Sequence, residues 1–254
     1  MSANLAMNLW RLKGQAFLVH FIASLMLVTL PTIVALSLWF PHGLWRTVSL
    51  EGALPLMLLV DLVIGPGLTL VLFNPSKSGR ELTLDLFLVL SLQVGALCYG
   101  LHQISQTRVA IVYAVPGYLL AGQAQHLNTP DQYAPALQPS FFGPRYASFK
   151  AGSAEFLEIG LRAQQEDQSP IFYGQAFQAV QANHLDLWQY AIPLEQLYAL
   201  YPTSHRPVNK RLTAYPADTA QTVKALPLLF GRQVLLLQKG ELGKIQVLGW
   251  VSFE

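Results

Sequence analysis

The sequence predicts a membrane protein: three N-terminal transmembrane α-helices followed by a mixed α+β extracytoplasmic domain. Three observations carry this. Only 12% of the 254 residues are charged and 52% are hydrophobic, against about 25% charged in an ordinary soluble protein. The apolar residues gather into three runs before about residue 106, and the rest of the chain has the composition of a folded water-soluble domain.

The first run, residues 16–40, holds no Lys, Arg, Asp or Glu. A second covers 54–73 and a third 84–104. Each meets the roughly 17–25 residues a spanning helix needs. The first is too long for a signal-peptide core, so it reads as an uncleaved anchor. The transmembrane part is therefore 1–106 and the second domain 107–254, a normal domain size of roughly 145 residues. Basic residues set the expected orientation. Arg11 and Lys13 precede the first span, and Lys77 with Arg80 lies between the second and third. Cytoplasmic loops carry such excesses. The expectation is a multi-pass protein of the bacterial inner membrane with its N-terminus in the cytoplasm and its C-terminal domain in the periplasm.

In the second domain, Arg108–Val115 is β-branched and bounded by Pro116-Gly117, which predicts a strand. Runs at 232–238 and 244–253 flank a glycine-containing connection and predict a hairpin. Consecutive Val234-Leu235-Leu236-Leu237 suits a strand covered on both faces. Helical spacing joins Phe156, Ile159, Gly160 and Ala163, and again Phe177, Val180, His184, Leu187 and Trp188; Pro193 opens a further short helix. Four prolines between Asn128 and Pro144 predict an irregular connection. His184 reads as a half-buried histidine, Trp188 and Tyr190 as packing, and Arg206, Lys210 and Arg211 as a solvated loop.

Chemistry is hard to place. No phosphate loop, Gly-x-Ser-x-Gly elbow or His-Glu-x-x-His helix occurs, and the six histidines have no metal-ligand spacing. No cofactor, metal or catalytic residue is expected, nor nucleic acid, since the net charge is +2 without a Lys/Arg block. An intramembrane aspartyl dyad of Asp61 and Asp85 would need the two carboxylates within a few ångströms. Asp61 lies some 12 residues, or about 18 Å, from the cytoplasmic end of its span, and Asp85 at the mouth of the next.

The second span is the informative one. It carries Asp61 and then the break Gly65-Pro66-Gly67. A carboxylate costs about 2.5–3.5 kcal/mol at the centre of an inserted helix. The proline frees a carbonyl one turn earlier, at Leu62 in a regular α-helix. Two readings of Asp61 stand open: a hydrogen bond from Ser91, Gln93 or Thr29 that locks the bundle, or a contact with a partner helix. Lys77 and Asp85 suit the headgroup region.

The ordered set Asp61-x-x-x-Gly65-Pro66-x-Leu68-Thr69, Phe73-Asn74-Pro75-x-Lys77 and Glu81-Leu82-x-x-Asp85 resembles the TfpX/TfpZ family of type IV pilin accessory proteins. The likeness continues more weakly through the 108–115 strand, Gly143-Pro144-Arg145 and the terminal hairpin, where Gln238-Lys239-Gly240-Glu241 departs from the family's Asp-x-x-Thr-Gly turn. The resemblance implies a non-enzymatic inner-membrane protein acting as a pilin-specific chaperone or modulator of pilin stability, pilus assembly and retraction. Its expected partners are the major pilin subunit and the lipid bilayer. Asp61, Gly65, Pro66, Gly67, Thr69, Asn74, Pro75, Lys77 and Asp85 are the candidate motif and partner-binding residues. The rival class is a small membrane sensor or a subunit of an unrelated envelope complex.

Overall fold

The computed structural model describes every residue except 1, 49, 51, 128–134, 151–157, 159–160, 162–164, 166–173, 217–218, 220–221, 241–242 and 254. The helix expected around Phe156, Ile159, Gly160 and Ala163 lies outside the described residues. The chain divides into two compact units, 1–38 with 49–107, and 39–48 with 108–254.

The first unit is helical. It contains α1 (Ser2–Trp39), α2 (Ala53–Leu59), a π-helical turn at Val60–Ile64, α3 (Gly65–Leu72) and α4 (Gly79–Thr107). Three helical stretches, Trp10–Trp39, Leu54–Leu72 and Gly79–Thr107, are long and apolar enough to cross a bilayer. The third starts earlier than the apolar run suggested because Ser78 and Glu81 form a capping box. The Ser78 N–H donates to Glu81 Oε2 at 2.9 Å and the Glu81 N–H to Ser78 Oγ at 3.4 Å, which satisfies free first-turn donors and lets polar residues begin a helix. Each helix turns one stripe inward: Ser24, Val28 and Ala35; Met57, Asp61, Gly65 and Thr69; Val89, Gln93, Leu97, Gly100 and Ile104. Leucines, isoleucines and valines cover much of the remaining surface, as a lipid-facing bundle requires.

The second unit is the mixed domain. Its first sheet has the order β2-β1-β3-β4, from β1 (Val109–Val115), β2 (Tyr118–Gln123), β3 (Arg145–Phe149) and β4 (Phe177–Ala179). β1 pairs antiparallel with β2 and parallel with β3. The second sheet has the order β5-β6-β7-β8, all antiparallel, from β5 (Ile192–Pro193), β6 (Val223–Pro227), β7 (Gln233–Lys239) and β8 (Ile245–Ser252). A bridge between Leu119 and Leu228 joins the two sheets. The expected 108–115 strand and terminal hairpin are present. β7 is buried on both faces as its unbroken apolar run foretold.

The domain also contains the short helices α5 (Leu185–Tyr190), α6 (Leu194–Leu200) and α7 (His205–Leu212). Two expectations need correction here. Phe177 is not helical; Phe177–Ala179 is an edge strand paired with Ala147–Phe149. Phe177 packs its ring 4.5 Å from that of Tyr113, and helix starts only after His184 turns the chain with a φ of 52°. Apolar spacing over so few residues does not separate helix from strand. Arg206, Lys210 and Arg211 lie on a helix rather than a loop, because Val208 and Leu212 bury one face of α7. Pro207 is tolerated in its first turn, where N–H groups lack intrahelical partners.

Candidate functional site

The inward stripes of the spans meet in a polar cluster. Pro66 explains its position. In the π-turn the Gly65 N–H bonds to the Val60 carbonyl, five residues back. Continued by one residue, that register points the position of Pro66 at the Asp61 carbonyl, and proline has no N–H to give. The freed acceptor is therefore Asp61 O, not Leu62 O as an α-helical register would have it. Gln93 supplies the missing donor, its Nε2 lying 3.0 Å from Asp61 O and 2.8 Å from Ser24 Oγ. Such π-turns recur where a helix has a function beyond spanning.

The direction of every other bond follows. A carbonyl only accepts, so the amide nitrogen of Gln93 faces Asp61, and its Oε1 faces His20 Nε2 at 2.8 Å. That histidine nitrogen donates, leaving Nδ1 to accept from the Thr69 hydroxyl at 2.5 Å. Gly65 makes the approach possible, since a Cβ there would land on the Gln93 side chain.

Asp61 itself stands apart. It is 0% exposed, and neither carboxylate oxygen has a hydrogen-bond partner among the described residues. Gln93 reaches helix two as one open reading required, at the backbone rather than the acid. Ser91 is exposed on the lipid-facing side of α4. A second buried acid, Asp186 at the start of α5, shows the ordinary solution: it accepts from Ser148 Oγ at 2.6 Å and from the Gln181 and Leu187 N–H groups at 3.1 and 3.0 Å.

The remaining sequence candidates fall into two places. Gly67 has nothing within 4 Å of where a Cβ would stand, and belongs to the outer surface of α3. Asn74, Pro75, Lys77 and Asp85 build the connection into α4. Asn74 Oδ1 accepts from the Ser76 N–H and hydroxyl at 3.1 and 2.8 Å. Lys77 Nζ pairs with Asp85 at 2.5 Å and donates to Leu72 O at 3.1 Å. Asp85 precedes Gln93 by two turns, about 12 Å along the axis, so the two carboxylates are not brought together. His20 and Ser24 escaped sequence reasoning. The signal was their four-residue spacing on one face of an otherwise apolar span.

The second unit carries a groove of about 550 Å³. The edge strands β4 and β8 contribute Ala179, Val247 and Trp250, β3 contributes Tyr146, and His184 lines it from just before α5. His42 closes it, held by a bond from Gln233 Nε2 to its carbonyl and by stacking 6.1 Å from the Trp250 ring. His184 Nδ1 is buried without a partner among the described residues. Burial pushes the Tyr146 hydroxyl above the ordinary tyrosine value, outweighing the opposing hydrogen bond with Trp250. No group of three or more His, Cys, Asp or Glu that could hold a metal occurs among the described residues.

No family model matches the chain, and no solved structure matches it either. Curated proteins do. The chain is 30% identical over 96 residues to a fimbrial assembly protein of serogroups C1 and C2 from Dichelobacter nodosus, a match covering 37% of this chain and 73% of that protein. It is 30% identical over 96 residues to the serogroup I protein and 31% over 104 residues to the serogroup E1 protein of the same organism. Those two matches span only 37% and 39% of the relatives' own lengths. The chain belongs to the family of these fimbrial assembly proteins.

Proposed function

We propose that this protein is an accessory factor of type IV fimbriae of the TfpX/TfpZ kind, a non-enzymatic inner-membrane chaperone that holds the fimbrial subunit before assembly. The observation that carries this reading is the similarity to proteins named for fimbrial assembly. In the proposed orientation the N-terminus is cytoplasmic and the 108–254 domain periplasmic. The second span meets the subunit's membrane helix, and the domain groove covers part of its head.

The chemistry of the second span supports a partner there. A buried carboxylate without a donor costs stability, and no donor to it occurs among the described residues. Since Asp61 is covered by its own helices, docking has to relax the π-turn by about one residue and present the acid to a donor on the incoming helix. Gly67 leaves the outer surface of α3 bare enough for close approach. The test replaces Asp61 by Asn and by Leu in cells and measures subunit level and surface fimbriae. Loss of both, with the variant accumulating normally, is the expected result. Wild-type fimbriation in both variants removes Asp61 from the function, and wild-type fimbriation after deletion of the whole gene removes the function itself.

A further inference from the structure

A set of exposed aromatic side chains packs against residues at and just beyond the ends of the spans. Trp39 is the last residue of the first span, and Arg108 follows the last residue of the third. Chain connectivity alone puts both at the edge of the bilayer. Phe141 packs edge-on against Trp39 with ring centroids 5.5 Å apart, and the Arg108 guanidinium lies 5.9 Å from the Phe141 ring. Phe142 stacks edge-to-face on Phe141 at 5.2 Å. Even so, Phe141 and Phe142 remain 56% and 69% exposed.

The same pattern recurs on two other loops. Trp45, six residues beyond the first span, is 47% exposed with the Arg46 guanidinium 5.3 Å from its ring. Phe230, at the β6–β7 turn, is 88% exposed. Gly231 packs so tightly on Thr47 that a Cβ would come within 2.9 Å of its methyl, which fixes this turn beside the Trp45 segment. The backbone of Phe230 has a φ of 61°, a left-handed conformation that costs a bulky residue energy and needs a reason. None of these rings serves a core.

We propose that Trp45, Phe141, Phe142 and Phe230 form a lipid-docking rim of the external domain, inserted into the headgroup and upper acyl region of the bilayer its own helices span. Three separate loops contribute to it, each packed against a segment that leaves the membrane. Aromatic rings favour this zone because one side is apolar and the other wet. Arg46 and Arg108 supply the cationic charge that anionic headgroups match. The rim holds the domain at one height and orientation, which a partner groove on the same domain needs in order to meet a membrane-anchored ligand.

The test uses the full chain in nanodiscs of phosphatidylethanolamine and phosphatidylglycerol. In a Cys98→Ala background, Phe142→Cys, Phe230→Cys and, as control on an exposed helix, Glu195→Cys are labelled with an environment-sensitive fluorophore. Lipids bearing a nitroxide near the headgroup serve as quencher. The expected result is quenching at positions 142 and 230 at least about twofold stronger than at 195. Equal quenching at all three sites, or none at 142 and 230, overturns the proposal. Trp45→Phe in the same discs gives an independent reading, because the lipid-quenchable part of the intrinsic fluorescence falls if Trp45 is seated in the bilayer and stays unchanged if it is not.

Discussion

Gln93 donates its amide to the backbone carbonyl of Asp61 and leaves the Asp61 carboxylate alone. The bond repairs the gap Pro66 makes in the π-turn, so it should be worth more to the bundle than a typical interhelical hydrogen bond. Such bonds average about 0.6 kcal/mol in membranes, whereas stranding a buried carbonyl costs about 1–3 kcal/mol. Gln93→Leu strands Asp61 O and removes the donor to Ser24 together. The expected loss is therefore about 1–3 kcal/mol, read as a lower unfolding midpoint in detergent. Gly65→Ala pushes the Gln93 side chain off the same carbonyl and should be at least as damaging; a neutral Gly65→Ala would show that the approach is not needed.

The two buried aspartates predict opposite outcomes. Asp186 accepts three hydrogen bonds, from Ser148 on β3, from Gln181 in the preceding loop and from Leu187 in its own helix, so Asp186→Ala leaves buried donors unpaired and should cost about 1–3 kcal/mol. The Asp61 carboxylate accepts none among the described residues, so Asp61→Leu removes an unpaid burial and should leave the bundle as stable or more stable. Thermal unfolding of both variants beside wild type checks the contrast. Equal destabilisation would show that the Asp61 carboxylate has a structural partner after all.

A third prediction concerns the last hairpin. Leu248 is an extra residue in β8, since Leu236 faces Gly249 while Leu237 faces Val247. Its displaced carbonyl is caught by Arg211 Nη2 at 2.8 Å and approached by the Tyr215 hydroxyl at 3.3 Å. Gly249 has a φ of 116°, and a Cβ on it would come within 3.1 Å of that guanidinium. Arg211→Met keeps the side-chain stem but loses the bond, with an expected cost of about 1–3 kcal/mol. Gly249→Ala should cost at least as much, through strain as well as crowding. Chemical unfolding followed by fluorescence of Trp250 reports both.

The spans, the 108–115 strand and the terminal hairpin were legible because each depends on a local pattern: a long apolar run, a β-branched run ended by Pro-Gly, two runs about a glycine. What was not legible depends on register or on tertiary contact. The π-turn moved the unsatisfied carbonyl from Leu62 to Asp61, and no composition signals a one-residue shift in hydrogen bonding. Phe177 looked helical because its apolar neighbours recur at helical spacing, yet its backbone pairs with β3 some thirty positions earlier in the chain. An acid in a span, such as Asp61, is conspicuous in a sequence; a lone imidazole such as His20 and a hydroxyl such as Ser24 are not. The groove is assembled from both sheets and from the 39–48 segment, far apart in sequence, and no motif marks it.

Tyr146 makes the last prediction one of pH. It lines the groove beside Trp250, and burial raises its hydroxyl above the ordinary value of 10.0; Tyr198 is raised for the same reason. A group that holds its proton more tightly when folded contributes stability fully present below its unfolded value and lost as pH rises through the folded one. The second unit should therefore keep its midpoint up to about pH 10 and lose stability above it, as the unfolded tyrosines ionise while the folded ones resist. Tyr146→Phe cannot ionise, so its midpoint should fall less steeply over that range, although it starts lower for want of the bond with Trp250. Unfolding of both proteins at a series of alkaline pH values, followed by Trp250 fluorescence, reads the difference in slope. Parallel slopes would mean that the groove around Tyr146 is open to water and not the desolvated surface a partner would bury.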